Sequence, residues 1–286
     1  MMIHLEVALG AELPPVEFSW ASSDVQLYNL ALGAGTDPTD PGELSYVCDD
    51  TPQVLPSFGC VAARFHATEP PNVSFPGIDI ALANVLHAGE QVRVLAPLPA
   101  AGRGRAITRV ADIWDKESAA VIVHETTVTD PAGVPLWVER QSLFARGEGG
   151  FGGQRGPSTT VNAPDRRPDY TVRVPTLPQQ ALLYRLCGDR NPMHSDTDFA
   201  ALAGFPAPIL HGLCTYGMTC KAIADTVLGS RVSRIRSYGA RFAGVVFPGE
   251  TLCVDIWTED DQIIATVTAP DRQNAPVLSS VQMRIV

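Results

Sequence analysis

The chain has 286 residues, a length that suits one or two domains and allows a core without disulfide or metal support. Hydrophobic residues make up 45% of the chain and charged residues 18%, which is an ordinary globular balance. The formal net charge of -10 argues against a protein whose main role is to bind nucleic acid or an anionic membrane surface, although a few local Arg residues can still bind an anionic small molecule.

The first half of the chain predicts a helix followed by a run of strands. A short amphipathic helix is predicted near Val25–Leu32, and Asp130–Gly133 has the composition of a hairpin turn. Alternation and β-forming residues predict strands over Glu90–Leu95, Ala106–Trp114, Ala119–Val128 and Pro135–Phe144.

Glycine and proline are concentrated between Gly147 and Arg167, which predicts a long, flexible connection near the middle of the chain. Gly147, Gly149 and Gly152 have the spacing of a dinucleotide-binding loop. That loop must open a helix, whereas here the chain continues Gln-Arg-Gly-Pro-Ser, so no dinucleotide site is expected. We therefore expect an N-terminal domain over residues 1–145, a linker over 146–167 and a C-terminal domain over 168–286.

The second half repeats the order of the first. Helices are predicted near Gln179–Leu186 and, after a Pro-rich turn, at Gly212–Leu228. Strands are predicted over Glu250–Thr258, Gln262–Thr268 and Pro276–Ile285. Helices followed by antiparallel strands indicate an α+β fold rather than a doubly wound sheet.

Three short matches between the halves indicate a duplicated domain. Tyr28–Gly33 is similar to Tyr184–Gly188, and Leu55–Gly59 is similar to Ile209–Gly212. The third match pairs Glu90 with Glu250, each directly after a glycine. The matches occur in one order and at similar spacing, which is the pattern left by an internal repeat.

The most informative segment runs from Tyr184 to His194. Gly188 can end the preceding helix with a positive φ, so that Asp189 lies on a tight loop, and Asn191 followed by proline turns the chain back. A carboxylate and an imidazole are then held on one loop, where they can bind one water and exchange protons with it. An isolated Asp and His at this spacing would more commonly be two unrelated surface residues.

The loop is also predicted to be anchored at its far end. Ser195–Asp198 is an Asp version of the capping box and predicts a short helix, Asp196–Ala203, that Gly204 terminates.

The segment from Tyr184 to His194 resembles the signature of the (R)-specific 2-enoyl-CoA hydratases, the hydratase 2 group of the MaoC-like hot-dog superfamily, which includes the hydratase domains of peroxisomal multifunctional enzymes of type 2. Met193 is the one departure, at a position where a branched aliphatic residue is usual. The positions that match are Tyr184, Leu186, Cys187, Gly188, Asp189, Asn191, Pro192 and His194. Other segments that look like this group are Tyr28–Gly35, Leu55–Gly59, Val85–Gln91, Leu98–Gly102, Gly149–Gly153 and Pro208–Cys214.

The resemblance implies two hot-dog domains in tandem, each an antiparallel sheet wrapped around a central helix. It implies reversible hydration of a trans-2-enoyl-CoA to a (3R)-3-hydroxyacyl-CoA, in fatty-acid or steroid side-chain β-oxidation. Asp189 and His194 would act on the catalytic water, and Asn191 would help to hold that water and the loop. Gly212 would donate its N–H to the thioester oxygen, a role that suits a glycine at a predicted helix N-terminus.

The same resemblance suggests where the substrate lies. His87, Gly152, Arg155, Tyr184 and His211 are the expected substrate-binding residues. The first half has Gly33-Ala-Gly-Thr-Asp-Pro38 in place of the Asp/His loop, so it is expected to house the acyl chain without catalysing. His66 and His124 are interpreted as structural.

No cofactor is expected beyond the CoA carried by the substrate, and no metal is expected, because no His, Cys or carboxylate cluster has metal-ligand spacing. The six cysteines include no Cys-x-x-Cys pair, which favours reduced thiols. No signal peptide or targeting motif is visible, so we expect a cytoplasmic protein that acts on acyl-CoA, forms a homodimer, and binds neither nucleic acid nor membrane.

Three alternatives stay open. A 3-hydroxyacyl-thioester dehydratase of fatty-acid synthesis would use the same residues on a substrate carried by acyl carrier protein. A non-catalytic acyl-CoA-binding subunit would be expected to have lost Asp189 or His194, and a thioesterase would share the fold without the loop. The sequence indicates neither the acyl group nor which of Asp189 and His194 is the base.

Overall fold

A computed structural model describes residues 3–48, 51–157 and 160–286. Residues 1, 2, 49 and 50 of the expected N-terminal domain, and residues 158 and 159 of the expected linker, lie outside the described residues. The helices are α1 Leu5–Ala8, α2 Ser22–Ala31, α3 Pro41–Leu44, α4 Gly59–Ala62, α5 Gln180–Tyr184, α6 Thr197–Leu202 and α7 Gly212–Leu228. The strands are β1 Val16–Trp20, β2 Val85–Val94, β3 Gly102–Asp115, β4 Ala119–Thr129, β5 Pro135–Arg146, β6 Tyr170–Pro175, β7 Ile235–Phe242, β8 Thr251–Glu259, β9 Gln262–Ala269 and β10 Ala275–Ile285.

The described strands form one 10-stranded antiparallel sheet in the order β1-β3-β4-β5-β2-β7-β10-β9-β8-β6. Read from its outer edge, the first half is β1-β3-β4-β5-β2 and the second is β6-β8-β9-β10-β7, so the two halves share one topology. They join where β2 pairs with β7, with Glu90 opposite Ala240. This arrangement confirms the α+β prediction of two hot-dog domains in tandem.

The repeat predicted from sequence holds at two of its three matches. Tyr28 and Tyr184 lie on the equivalent helices α2 and α5, with ring centroids 6.1 Å apart, and Gly59 and Gly212 begin α4 and α7. The third match is wrong, because Glu90 lies inside β2 whereas Glu250 directly precedes β8, whose counterpart is β3.

Among the described residues, a long central helix is present in the second half alone. α7 has 17 residues and is buried continuously from Cys214 to Ala224. Its counterpart α4 has 4 residues, so the prediction of a central helix in each domain holds for the second domain alone. The concave face of the first-half strands is therefore left without a helix to cover it, and a cavity lies there instead.

One hydrophobic core spans both halves. Aromatic side chains from the first half, such as Tyr28 and Trp137, are buried in the same cluster as Tyr184, Tyr216 and Tyr238 from the second. All six cysteines are free thiols, as predicted. No helix of the described residues is long and apolar enough to cross a membrane.

The Gly-rich connection after β5 is anchored as far as Gln154, which corrects the prediction of a flexible segment for this part of it. The carboxylate of Asp115 accepts hydrogen bonds from the N–H groups of Gly150 and Gly152, each at 2.8 Å. The Asp115 N–H in turn donates to the carbonyl of Gln154 at 2.8 Å. These backbone donors, that of Gly150 foremost, lower the pKa of Asp115.

Candidate active site

A cavity of about 870 Å³ extends from the Asp/His loop onto the concave face of the first-half strands. Its walls come from both halves of the chain. The second half contributes Gly188, Asp189, Asn191, Met193, His194 and Gly212, among others. The first half contributes His87, Thr108, His124, Thr126, Glu139 and Gln141, among others.

Gly188 terminates the preceding helical turn in the left-handed conformation, with φ +98°, as predicted. A Cβ atom there would lie 2.0 Å from the carbonyl oxygen of Arg64, so the first half packs directly on this turn and leaves room only for glycine. The loop then turns through side-chain acceptors: Oδ1 of Asp189 accepts from the N–H of Asn191, and Oδ1 of Asn191 accepts from the N–H of Met193, both at 3.1 Å. Asn191 therefore shapes the loop.

The helix after the loop begins one residue later than its predicted cap. Asp196, not Ser195, is the N-cap of α6, and its carboxylate accepts from the N–H groups of Asp198 and Phe199. A carboxylate also complements the positive end of the helix dipole, which favours Asp over Ser at this position.

His194 is held in one tautomer by the backbone. Its Nδ1 lies 2.8 Å from the carbonyl oxygen of Ile209, and because a carbonyl can only accept, Nδ1 carries the hydrogen. Burial lowers the pKa of His194, although the charge of Asp189 opposes this shift. The resting imidazole is therefore neutral, and its Nε2 is left as a hydrogen-bond acceptor.

The carboxylate of Asp189 lies beside this imidazole. One ligand atom each from Asp189, His194 and His211 lie within 4.8 Å of one another. A single water that donates hydrogen bonds of about 2.8 Å to Asp189 and to His194 fits a separation of this size. The loop can thus hold one water between two proton acceptors.

Tyr184 and His211 are not among the residues that line the cavity, and a contact of either with the substrate stays a prediction. Both are fully buried behind His194. The His211 ring stacks on the His194 ring with centroids 3.7 Å apart, and its Nε2 lies 3.2 Å from the carbonyl oxygen of Asp189. The ring of Tyr184 lies 5.0 Å from that of His211. Burial, followed by the charge of His194, lowers the pKa of His211, so a neutral ring supports the loop from behind.

Gly212 is the first residue of α7 and lines the cavity. Its N–H is one of the four that an α-helix leaves without an intrahelical partner, and the helix dipole makes this end favourable for negative charge. A Cβ on Gly212 would lie 3.0 Å from the ring of Phe242. The position therefore combines a free donor with room for close approach.

His87 brings a first-half side chain to the cavity wall. Burial lowers the pKa of His87 to about 4, against the opposing influence of the Asp189 charge. Its Nε2 lies 2.8 Å from Oε2 of Glu90, in an orientation that does not make a hydrogen bond. His87 therefore stands as a neutral ring between the Asp/His loop and Glu90.

Gly152 and Arg155 are not among the cavity-lining residues. The N–H of Gly152 is used by Asp115, and the guanidinium of Arg155 lies 2.6 Å from the carboxylate of Glu117 on an exposed surface. A contact between either residue and the CoA portion of a substrate stays a prediction. Arg64, which the sequence did not single out, is an exposed cation on the cavity lining.

The polar side chains that the first half contributes to the cavity wall were also not identified from the sequence. His124, which had been interpreted as structural, lines the cavity together with Thr126, Glu139 and Gln141. The available signal was the spacing of Glu139 and Gln141, which places two polar side chains on the same face of one predicted strand. Without the sheet topology that face could not be told from the solvent-exposed one.

Two family models together cover most of the chain. Residues 159–275 match the MaoC like domain, and residues 18–147 match the MFE-2 hydratase 2 N-terminal domain. The chain is 65% identical over 283 residues to enoyl-CoA hydratase ChsH3 of Mycobacterium tuberculosis, which covers 99% of both chains. It is 42% identical over 260 residues to 3-hydroxyacyl-thioester dehydratase Y of the same organism, covering 87% of this chain and 86% of the relative.

A comparison of folds gives the same relationship. The crystal structure of a MaoC-like dehydratase from Phytophthora capsici superposes with a TM-score of 0.88 at 27% identity, covering 99% of this chain and 98% of that one. A tandem hot-dog fold with an Asp/His loop on a shared cavity is that of a hydro-lyase. The chain belongs to the MaoC-like dehydratase family, in its hydratase 2 branch.

Proposed function

We propose that this chain adds water reversibly to a trans-2-enoyl-CoA and forms a (3R)-3-hydroxyacyl-CoA, in fatty-acid or steroid side-chain β-oxidation. One observation carries the proposal: Asp189 and His194 face each other on one loop of the cavity that Gly212 also lines. These are the groups that hydration requires, namely proton acceptors for a water and a donor for the thioester oxygen.

The geometry suggests how the groups share the work. The water donates one hydrogen bond to the carboxylate of Asp189 and one to Nε2 of His194, which leaves its lone pair free to attack C3. As the O–C3 bond forms, one proton of the water passes to the Asp189–His194 pair, and the pair returns that proton to C2 on the same side, so both groups regain their starting protonation states. The N–H of Gly212 stabilises the negative charge that develops on the thioester oxygen. A donor of this kind typically contributes about 10²–10³-fold and each acid–base group about 10²–10⁴-fold.

The two halves have different roles in this proposal. Residues 168–286 carry the chemistry, and residues 1–145 hold the acyl group against their concave face. The cavity supports this division, because it continues from the Asp/His loop to strands β3, β4 and β5. The reaction requires proton transfer and charge stabilisation only, so no cofactor or metal takes part.

We also propose that the protein works as a cytoplasmic homodimer, with Arg155 and Gly152 contacting the CoA portion of the substrate. These statements rest on the resemblance to hydratases of the same branch. Sedimentation would report the assembly, and neutralising Arg155 should raise the KM for enoyl-CoA in a salt-dependent manner.

A second candidate function is the reverse reaction in fatty-acid synthesis, dehydration of a 3-hydroxyacyl thioester. The similarity to a relative named as a 3-hydroxyacyl-thioester dehydratase favours it. The chemistry at Asp189 and His194 is the same in both directions, so the candidates differ in the carrier, CoA or acyl carrier protein.

The test supplies crotonyl-CoA and longer trans-2-enoyl-CoAs and follows the loss of enoyl absorbance together with the release of free thiol. We expect loss of absorbance without thiol release, and a product that an (R)-specific 3-hydroxyacyl-CoA dehydrogenase oxidises. Thiol release would identify a thioesterase, and a product of (S) configuration would contradict the proposed stereochemistry. Comparing the rates for the same acyl groups on CoA and on acyl carrier protein shows which carrier the enzyme uses.

A further inference from the structure

The cavity wall that the first half provides is unexpectedly polar for a surface that would hold an alkyl chain. Two rows of side chains cross the concave face, set by direct pairing between neighbouring strands. One row is Thr108, Thr126 and Glu139, and the next is His124, Gln141 and Glu90. Residues directly opposite each other in an antiparallel sheet lie on the same face, so both rows point into the concave side.

One buried polar atom that lines this wall has no hydrogen-bond partner among the described residues. It is Nε2 of His124, a residue that is only 5% exposed. Burying a polar group without a partner is destabilising. Glu90 lies deeper, outside the cavity lining, with Glu139, Gln141 and Cys60 close to its carboxyl group. Within the wall, Thr108 and Thr126 already satisfy each other, with hydroxyl oxygens 2.8 Å apart. The Nε2 atom of His124 therefore marks where a partner from outside the chain would bind.

The wall is close to neutral in charge. Burial raises the pKa of Glu90, and burial together with the charge of Glu90 raises the pKa of Glu139, so at least one proton stays on this pair. Burial lowers the pKa of His124 to about 4, which leaves its ring neutral. Burial also raises the pKa of the neighbouring Cys60 thiol. One ligand atom each from Cys60, Glu90 and Glu139 lie within 4.8 Å of one another, and in the protonated state they are hydrogen-bonding groups rather than metal ligands.

We propose that this wall recognises an oxygen function on the acyl group, so that the preferred substrate is an enoyl thioester whose acyl portion carries a hydroxyl or carbonyl oxygen far from the reacting carbons. Neutral carboxyl, imidazole, amide and hydroxyl groups can donate to and accept from such an oxygen. The inference rests on the proposed hydration and adds the class of acyl group to it.

The sheet geometry gives the distance. His87 on β2 lies beside the Asp/His loop, and the wall continues over β5, β4 and β3 in that order. Strands are about 4.8 Å apart, so His124 and Thr126 on β4 lie about 10 Å beyond β2. The oxygen is therefore recognised well beyond C3, at a distance that short enoyl groups do not reach.

The experiment compares matched substrates with the full-length protein. The probes are trans-2-octenoyl-, trans-2-decenoyl- and trans-2-dodecenoyl-CoA, each with and without a terminal hydroxyl or a keto group next to the terminal carbon, and crotonyl-CoA is the short reference. We expect at least about tenfold higher kcat/KM for an oxygenated probe than for the plain acyl group of equal length, because a site built to hydrogen-bond discriminates against an analogue that lacks the group. The chain length with the largest ratio locates the oxygen.

Variants assign the preference to the wall. Glu139→Met and His124→Phe should each lower the ratio of oxygenated to plain kcat/KM by about tenfold, since each replaces a polar cavity group with an apolar one. Thr126→Val removes a hydroxyl from the wall and should also lower this ratio. Thr127→Val is its control, because it makes the same change on the opposite face of β4 and should leave the ratio as in the wild type.

The outcomes separate this inference from the function on which it rests. Hydration of crotonyl-CoA together with equal or better use of the plain long-chain probes would overturn the inference and leave the hydratase assignment standing. Absence of hydration with every probe, crotonyl-CoA included, would overturn the hydratase assignment itself. If a wall variant does not fold, the ratio of oxygenated to plain kcat/KM of the wild type, measured across chain lengths, still tests the inference.

Discussion

At the scale of single residues, two glycines with the same backbone conformation distinguish the cost of backbone strain from the cost of crowding a neighbouring segment. Gly188 and Gly204 both have a left-handed φ, +98° and +89° respectively. A Cβ at Gly204 would have nothing within 4 Å, whereas at Gly188 it would meet the Arg64 carbonyl. The two positions therefore differ in what surrounds them and not in backbone conformation.

The prediction is that Gly204→Ala lowers the free energy of unfolding by about 1–2 kcal/mol, which is the cost of the left-handed conformation. Gly188→Ala should cost about 1–3 kcal/mol more, because the loop or the Arg64 segment must move. Denaturant unfolding measures both. Equal losses would contradict the close packing of the two halves at Gly188.

Glu90 makes a pH-dependent contribution with a definite sign. Because burial raises the pKa of Glu90 well above its ordinary value, the native state keeps a proton that the unfolded chain releases. The wild type therefore loses stability relative to Glu90→Gln as the pH rises from the ordinary glutamate pKa of about 4.3 toward the raised pKa of the folded state.

The measurement is urea unfolding of the wild type and Glu90→Gln across this pH range. The free energy of unfolding of the variant minus that of the wild type should increase with pH. Glu6→Gln, an exposed position on α1, is the matched control and should give a flat difference. A flat difference for Glu90→Gln as well would show that the carboxyl is not buried as described.

At the scale of elements, the N-terminus of α7 offers a direct test of the proposed oxyanion donor. Proline is tolerated at the first position of a helix, and it removes the N–H. The residue before it must be extended, which His211 already is, with φ -57° and ψ 132°. Gly212→Pro should therefore fold and lose about 10²–10³-fold in kcat.

The matched control is Gly212→Ala, which also adds a Cβ against Phe242 but keeps the N–H. Hydration by Gly212→Ala well above that of Gly212→Pro would support the donor role. Equal rates for the two variants would contradict it and leave crowding by the Cβ as the cause.

Elements with local signals could be predicted from the sequence, and those defined by distant pairing could not. α7 was predicted with its observed bounds, because Gly212 and Gly229 lie at its two ends. β7 was missed, since Ile235–Phe242 has weak alternation and its partners β2 and β10 lie far along the chain. The edge strands β1 and β6 were also missed, and they are short, with 5 and 6 residues.

The same contrast explains the site. The Asp/His loop was predictable, because Gly188 and the Asn191-Pro192 turn act over a few residues. The position of Tyr184 and His211 behind the loop could not be predicted, since an apolar sequence environment does not distinguish a supporting ring from one that lines a cavity. The polar wall depends on the register of β4 and β5, which is defined only when the sheet forms.

At the scale of the whole molecule, the halves are joined by pairing and packing that neither can provide alone. β2 and β7 pair at the centre of the sheet. Gln180 on α5 donates a side-chain hydrogen bond to the carbonyl of Ala31, and Gly217 on α7 packs against Tyr28. A fragment of residues 165–286 would expose the β7 edge and the faces of α5 and α7.

The prediction is that this fragment fails to fold alone, or folds without activity on long enoyl-CoAs. Circular dichroism and an enoyl absorbance assay on the purified fragment would show this. A stable fragment with full long-chain activity would contradict the role proposed for the first half.

The central claim is that Asp189 and His194 act together on one water. The most direct measurement is kcat for crotonyl-CoA hydration by Asp189→Asn, His194→Gln and the double variant, each checked for folding and for enoyl-CoA binding. Each single variant should bind substrate and lose at least about 10²-fold in kcat, and the double variant should be little slower than the worse single one. Hydration near the wild-type rate by either well-folded single variant would contradict the assignment of this loop as the active site.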